Sequence, residues 1–178
     1  MIELTQERLK QCVYYNEITG VFTRISCGQN PSRIGKPTGT LTNHGYLRMR
    51  VDKQLYSAHR LAWLYVHGAF PDGQIDHING DRTDNRIANL RAATNQQNSE
   101  NQHAPRSNSK LKMRGVSWHK LAKKYVAQIV VAGKKKHLGC FDTPEEAYSS
   151  YVSAKKSSHP FWVPTSSAAI RALIGAKT

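Results

Sequence analysis

The chain has 178 residues, with 26 Lys and Arg against 12 Asp and Glu, a formal net charge of +14 at pH 7 and a pI of about 9.9. That length allows one domain or two small ones, neither able to bury a large core, and a positive surplus of this size matches a polyanionic partner. Its apolar runs fall far below the ~20 residues needed to span a bilayer, and the start MIELTQERLKQC lacks a basic stretch followed by an apolar one, which argues against secretion. Cys12, Cys27 and Cys140, odd in number and without CxxC spacing, argue against a cysteine-held zinc. The expectation is a cytoplasmic monomer with reduced thiols and no membrane contact.

In chain order, residues 4–12 suit a short helix, and Tyr14 to Arg24 two extended pieces about Gly20. Cys27 to Lys36 is a loop. Gly45 to Val51 alternates apolar and polar residues, turns at Asp52-Lys53 and returns as Gln54 to Ser57, a hairpin carrying Arg48 and Arg50 on one face. Those arginines suit either a solvated face or phosphate contact.

Ala58 to His67 has Leu61, Leu64 and Tyr65 at helical spacing and Gly68 as a stop. A short strand at Gln74–Ile78, a tight turn at Asn79-Gly80-Asp81, a polar loop at Asn85 to Asn89 and a second strand at Leu90–Ala93 follow. Thr94 then caps a helix running to about Asn101.

From 101 the composition turns to Asn, Ser, Gln, His and Pro, a linker by its polarity. Beyond it, Gly115–Trp118, Tyr125–Val131 and Lys136–Gly139 predict three strands, with Gly133 turning between the last two. Thr143-Pro144-Glu145-Glu146 opens a helix with Ala147, Tyr148, Tyr151 and Ala154 on one side. A further short helix is expected at Ser167–Ile174. The divisions are therefore 1–100, a linker at 101–111, a second module at 112–160 and a tail at 161–178. Ten Lys and Arg and no acid lie between Glu100 and Asp142, whereas acids crowd into 72–84.

The chemistry concentrates at Asp76-His77. Adjacent residues of a strand point to opposite faces, so a carboxylate can face a metal while an imidazole, neutral at physiological pH, faces an attacking water. Asn98 on the following helix offers a second oxygen, and carboxylate plus amide oxygen suits Mg²⁺ or Mn²⁺. On spacing alone the Asp-His pair is a weak signal.

The longer pattern is specific. His59-Arg60-Leu61-Ala62-Trp63, Ile75-Asp76-His77-Ile78-Asn79-Gly80-Asp81, Asn85, Asn89-Leu90-Arg91, Thr94 and Asn98 resemble the HNH endonucleases, in the subgroup common among phage and intron homing enzymes. The likeness spans about residues 14–102. It implies an α+β fold with a ββα-metal nuclease domain behind preceding β-hairpins. It further implies metal-dependent cleavage of double-stranded DNA, with His77 as general base, Asp76 and Asn98 as metal ligands and Asn89 bracing the loop between two strands. Arg60 beside His59 reads as a phosphate clamp or as half of a surface pair. A single such site is expected to nick one strand.

Residues 112–160 resemble the ethylene-response-factor (Apetala) DNA-binding domain through Arg114-Gly115-Val116, Lys124 to Ile129 and His137 to Ala147. That implies a three-stranded antiparallel sheet packed on one helix. Arg114, Ser117, His119, Lys124, Gln128, Lys135 and His137 would then face DNA. Ser117, His119 and His137 stand where plant members carry other residues, so no target sequence follows. Trp118 suits packing under the sheet better than contact with sugar and base. The alternative to a nuclease is a non-catalytic, sequence-specific DNA-binding regulator. An RNA-binding protein would explain the charge but not the Asp-His-Asn spacing.

Overall fold

The computed structural model describes residues 3–25, 31–103, 105 and 109–164. Cys27 and the helix expected at Ser167–Ile174 lie outside them. The chain mixes helices with small antiparallel sheets and clusters into two compact units, Met1–Asn98 and Ser99–Thr178.

In the first unit, α1 (Gln6–Cys12) is capped by Thr5, whose hydroxyl accepts from the Arg8 amide. It buries Leu9 and Cys12 and runs directly into β1 (Val13–Asn16), which pairs with β2 (Val21–Arg24). β3 (Pro37–Thr38) extends that sheet. A second sheet joins β4 (Thr40–Leu41), β5 (Leu47–Val51) and β6 (Gln54–Ser57). Asp52 and Lys53 both take positive φ, 46° and 69°, at the two-residue turn from β5 to β6, the geometry that matches strand twist in tight hairpins. Arg8 grips Asp52 through two 2.7 Å contacts, tying α1 to that turn.

Helix α2 (Ala58–His67) buries Leu61, Ala62 and Leu64 against Leu9, Val13, Phe22 and Val51, and ends at Gly68 with φ of 83°. β7 (Gln74–His77) and β8 (Leu90–Ala93) form a two-stranded sheet in which Asp76 faces Arg91 and His77 faces Leu90. α3 (Asn95–Glu100) follows. The chain between β7 and β8 is more ordered than a polar loop suggests, for it includes a 3₁₀ turn at Ile87–Asn89.

The second unit is an antiparallel sheet in the order β11-β10-β9, formed by β9 (Val116–His119), β10 (Lys124–Val131) and β11 (Lys134–Phe141). Ala132 and Gly133 turn β10 into β11 with positive φ of 50° and 76°. β11 is longer than its apolar residues suggest, because Lys134 and Lys135 pair with Val131 and Val130. α4 (Pro144–Ser158) opens with a complete capping box between Thr143 and Glu146. It packs Ala147 and Tyr148 against a core with Met113, Val116 and Ala127. A Cβ at Gly115 would lie 2.1 Å from the Tyr151 ring, so this turn admits only glycine.

Three expectations for this unit change. Trp118 is 46 % exposed beside the Tyr125 ring, not packed under the sheet. Lys155 is buried and Ala154 only half-buried. The Lys155 ammonium lies over the rings of Tyr151 and Trp162, and burial lowers its pKa to about 8. Asn101, at the head of the stretch whose polarity suggests a linker, is buried and accepts a hydrogen bond from the Val163 amide at 3.3 Å. Composition alone misses it, because a buried Asn is distinguished by its partners and not by its type.

Candidate active site

The segment joining β7 to β8 is stapled by side chains bonding to backbone. Asn89 accepts from the Asn79 amide at 3.0 Å through Oδ1 and donates from Nδ2 to the Asp84 carbonyl at 2.8 Å. Its own carbonyl accepts from the Ile78 amide at 2.9 Å. Asn79 and Asp81 each fold back on the amide two residues ahead. Asp84 accepts from Asn79 Nδ2 at 2.8 Å and from Arg86 Nε at 2.7 Å; the Arg86 bond, more than any other cause, lowers its pKa.

On this frame Asp76 and His77 meet different surroundings, as neighbours on a strand should. The Asp76 carboxylate, 5 % exposed, receives Arg91 Nε at 2.9 Å and Nη2 at 2.8 Å on Oδ2. The His77 ring, also buried, lies 5.3 Å from the His59 ring, edge to face, and 6.0 Å from Tyr46. Its Nε2 is 3.4 Å from Asn85 Oδ1. Burial pushes the His77 pKa down, against the opposing pull of Asn85 and of Asp76, Asp81 and Asp84. The imidazole is thus held in the neutral form that a general base requires.

His59 sits next to Arg60 on α2, and the structure separates the two. His59 faces His77 and Tyr46, while the Arg60 guanidinium lies over the Phe70 ring and donates to the Gly73 carbonyl at 3.3 Å. Burial first, then the charges of His77, Arg60 and Arg48, lower the His59 pKa to about 4. Arg82 lies over Tyr46 at 4.9 Å and donates to the His44 carbonyl at 2.8 Å. The His77 ring thus lies among the rings of His59 and Tyr46, with the Arg82 guanidinium over Tyr46 and the carboxylates of Asp76, Asp81 and Asp84 near enough to pull on its pKa.

The His59 shift makes a stability prediction. Its pKa falls from 6.5 unfolded to about 4 folded, so between those values the unfolded chain binds a proton the folded chain does not. Stability contributed above pH 6.5 is lost as pH falls towards 4, by on the order of 3 kcal/mol. Thermal melts of the wild type should therefore drop more steeply over this window than those of His59→Gln; parallel curves would refute it.

Asn98, half-buried, donates from Nδ2 to Gln74 Oε1, which leaves Oδ1 as its acceptor atom. Gln74 and Asp76 share one face of β7, so Asn98 reaches the face that carries Asp76. A carboxylate and an amide oxygen are hard donors that fit Mg²⁺ or Mn²⁺. Among the described residues, no group of three or more His, Cys, Asp or Glu side chains could hold a metal ion.

Arg48 and Arg50 are exposed on β5. In the second unit the register places His119 opposite Lys124, Gln128 opposite His137 and Val130 opposite Lys135, with Ser117 opposite Val126. The register shift between Ala127 and Gln128 takes up one extra residue of β11 and keeps His137 in line. Ser117, His119, Lys124, Gln128, Lys135 and His137 thus share the face turned away from α4. Arg114 does not join them, since it hydrogen-bonds Tyr151 of α4.

Sequence reasoning passed over Asn85, Arg91 and Tyr46 as site residues. Arg91 was legible in principle, being cross-strand from Asp76 once β7 and β8 are paired; Asn85 and Tyr46 depend on tertiary contacts.

A family profile described as HNH endonuclease matches residues 56–100. Protein 3.8 of Escherichia phage T7 is 34 % identical over 87 residues, which is 47 % of this chain and 71 % of that protein. No solved structure matches. No helix among the described residues is long and apolar enough to cross a membrane.

Proposed function

The chain belongs to the family of phage T7 protein 3.8 and carries an HNH endonuclease domain at residues 56–100, and from that premise we propose that it is a metal-dependent DNA endonuclease of the homing type, nicking one strand per active site. The observation that carries this reading is the division of labour at β7. A buried neutral imidazole and a carboxylate with its own cationic partner stand side by side in a strongly basic chain.

His77 takes the proton from the attacking water as the water's oxygen bonds to phosphorus and the bond from phosphorus to the leaving sugar oxygen breaks, that oxygen taking its proton from solvent. Asn89 keeps the segment between β7 and β8 closed, so the imidazole does not drift from the phosphate. Asp76 and Asn98 would hold a Mg²⁺ or Mn²⁺, which when bound supplies Lewis-acid stabilisation of the scissile phosphate and leaving oxygen. Arg91 neutralises Asp76 and orients it. The charges of Arg60 and Arg48 both reach His59, but the Arg60 guanidinium is engaged by the Phe70 ring and the Gly73 carbonyl whereas Arg48 is exposed on β5, so Arg48 is the better placed to meet a phosphate.

Duplex DNA would lie on the free face of β9–β11, with Lys124 and Lys135 as phosphate contacts and Gln128 and His137 nearer the bases. The pair Lys124→Glu/Lys135→Glu should weaken duplex binding and reduce its salt slope by about two, one per contact, while cleavage at saturating protein persists. Binding unchanged in affinity and salt slope would place recognition elsewhere, Arg48 and Arg50 first. A short duplex labelled separately on each strand tests the nuclease itself: Mg²⁺ should yield fragments from one strand, and an intact duplex would contradict the reading.

A further inference from the structure

We propose that the hairpin β1–β2 is part of the catalytic apparatus, with Tyr15 and Asn85 as positioning residues that fix the orientation of His77. The inference rests on the nuclease reading and ties Asn85, within the matched residues 56–100, to Tyr15 and its hairpin, which lie outside them.

Asn85 is 1 % exposed, although it lies in a polar loop. Its polar groups converge on one arrangement. The amide N–H donates to the Thr83 carbonyl at 3.1 Å, and Nδ2 donates to the same carbonyl at 3.0 Å. With Nδ2 so used, the atom facing His77 Nε2 at 3.4 Å is the acceptor Oδ1. An acceptor there favours the proton on Nε2 and puts the ring's basic lone pair on Nδ1. Asn85 therefore selects the tautomer as well as the ring angle.

What holds Asn85 comes from far along the chain. The Tyr15 hydroxyl donates to the Asn85 carbonyl at 2.6 Å, a buried bond. Tyr15 is itself locked by ring contacts with Phe22 at 4.6 Å and Tyr65 at 5.5 Å. At the hairpin turn Gly20 has φ of 72°, and a Cβ there would come within 2.5 Å of the Arg86 amide nitrogen and 2.7 Å of the Asn85 carbonyl carbon. The turn thus presses backbone against backbone at the residue that touches His77. A hairpin needed only for the core could carry Phe at position 15; the hydroxyl is explained by its bond to Asn85.

The test is a set of full-length variants, Asn85→Ala, Tyr15→Phe, their double, Asn85→Asp and a His77→Ala control, assayed with Mg²⁺ for kcat, KM and duplex affinity. Asn85→Ala should lower kcat at least ~10-fold, as loss of a group orienting an essential one does, with KM and affinity within about twofold. Tyr15→Phe should lower kcat less, and the double variant should be no slower than Asn85→Ala, because both act through one contact. Asn85→Asp, which restores an oxygen at that position, should recover part of the rate. Undiminished kcat in Asn85→Ala, or independent losses that multiply in the double, overturns the proposal. Should Asn85→Ala not fold, Tyr15→Phe decides, since it removes a single oxygen: unchanged kcat overturns the proposal. An active His77→Ala would instead remove His77 from the base role, and an inactive wild type would bring down the nuclease reading itself; an inactive His77→Ala beside a fully active Asn85→Ala removes the positioning role alone.

Discussion

His77→Ala should bind duplex DNA as the wild type does and lose ~10²–10⁴-fold in turnover, the usual value of a positioned general base. The binding half of this expectation follows from placement. His77 is 4 % exposed on β7, whereas the candidate DNA-facing residues Lys124, Gln128, Lys135 and His137 belong to the sheet of the second unit. The turnover half follows from environment. Burial lowers the ring's pKa, and His59, with its pKa lowered to about 4, adds no positive charge beside it. Substitution by Ala leaves a cavity between Tyr46, His59 and Asn85, so melting temperature should be measured alongside. Undiminished cleavage by a folded His77→Ala protein removes this histidine from the base role.

Chelation of divalent ions should stop cleavage while duplex binding persists, and Mg²⁺ or Mn²⁺ should restore it better than Zn²⁺. The donors proposed, a carboxylate of Asp76 and the amide oxygen of Asn98, are both hard oxygens. Asp76→Ala should be the more damaging ligand substitution for two separate reasons. It removes the charged donor, and it takes from Arg91 the carboxylate oxygen that Nε and Nη2 both contact; losing one partner of a buried pair typically costs ~3–5 kcal/mol. Asn98→Ala, which loses only a bond to Gln74, should cost activity with little stability. Highest activity in Zn²⁺ would contradict the oxygen set and bring a nitrogen donor, with His59 the nearest imidazole to His77, into the site.

Much of the fold was legible wherever burial alternates along the chain. The hairpin at Gly45–Ser57, the helix at Ala58–His67 and the capped helix from Pro144 follow from period, turn residues and caps. Legibility failed where a polar residue is buried by its partners. Asn85 in a run of Asp and Asn reads as solvent-facing, yet it is enclosed by Tyr15, a residue 70 positions away. Asn101 was misjudged for the same reason. Trp118 failed in the opposite direction: its size suggests burial, but its register partner is Tyr125, and it remains 46 % exposed. At the site, adjacency along the strand was enough to give Asp76 and His77 different faces. It could not choose between His59 and Arg60, because only the rotation of α2 against the second sheet decides which of two neighbours points inward.

Supercoiled plasmid incubated with the full-length protein tests the central claim most directly. With Mg²⁺ it should convert to the nicked circle, and with chelator it should remain supercoiled but shifted in mobility by bound protein. Plasmid that is bound yet stays supercoiled in Mg²⁺ and in Mn²⁺ would contradict the account and leave a DNA-binding protein that does not cut.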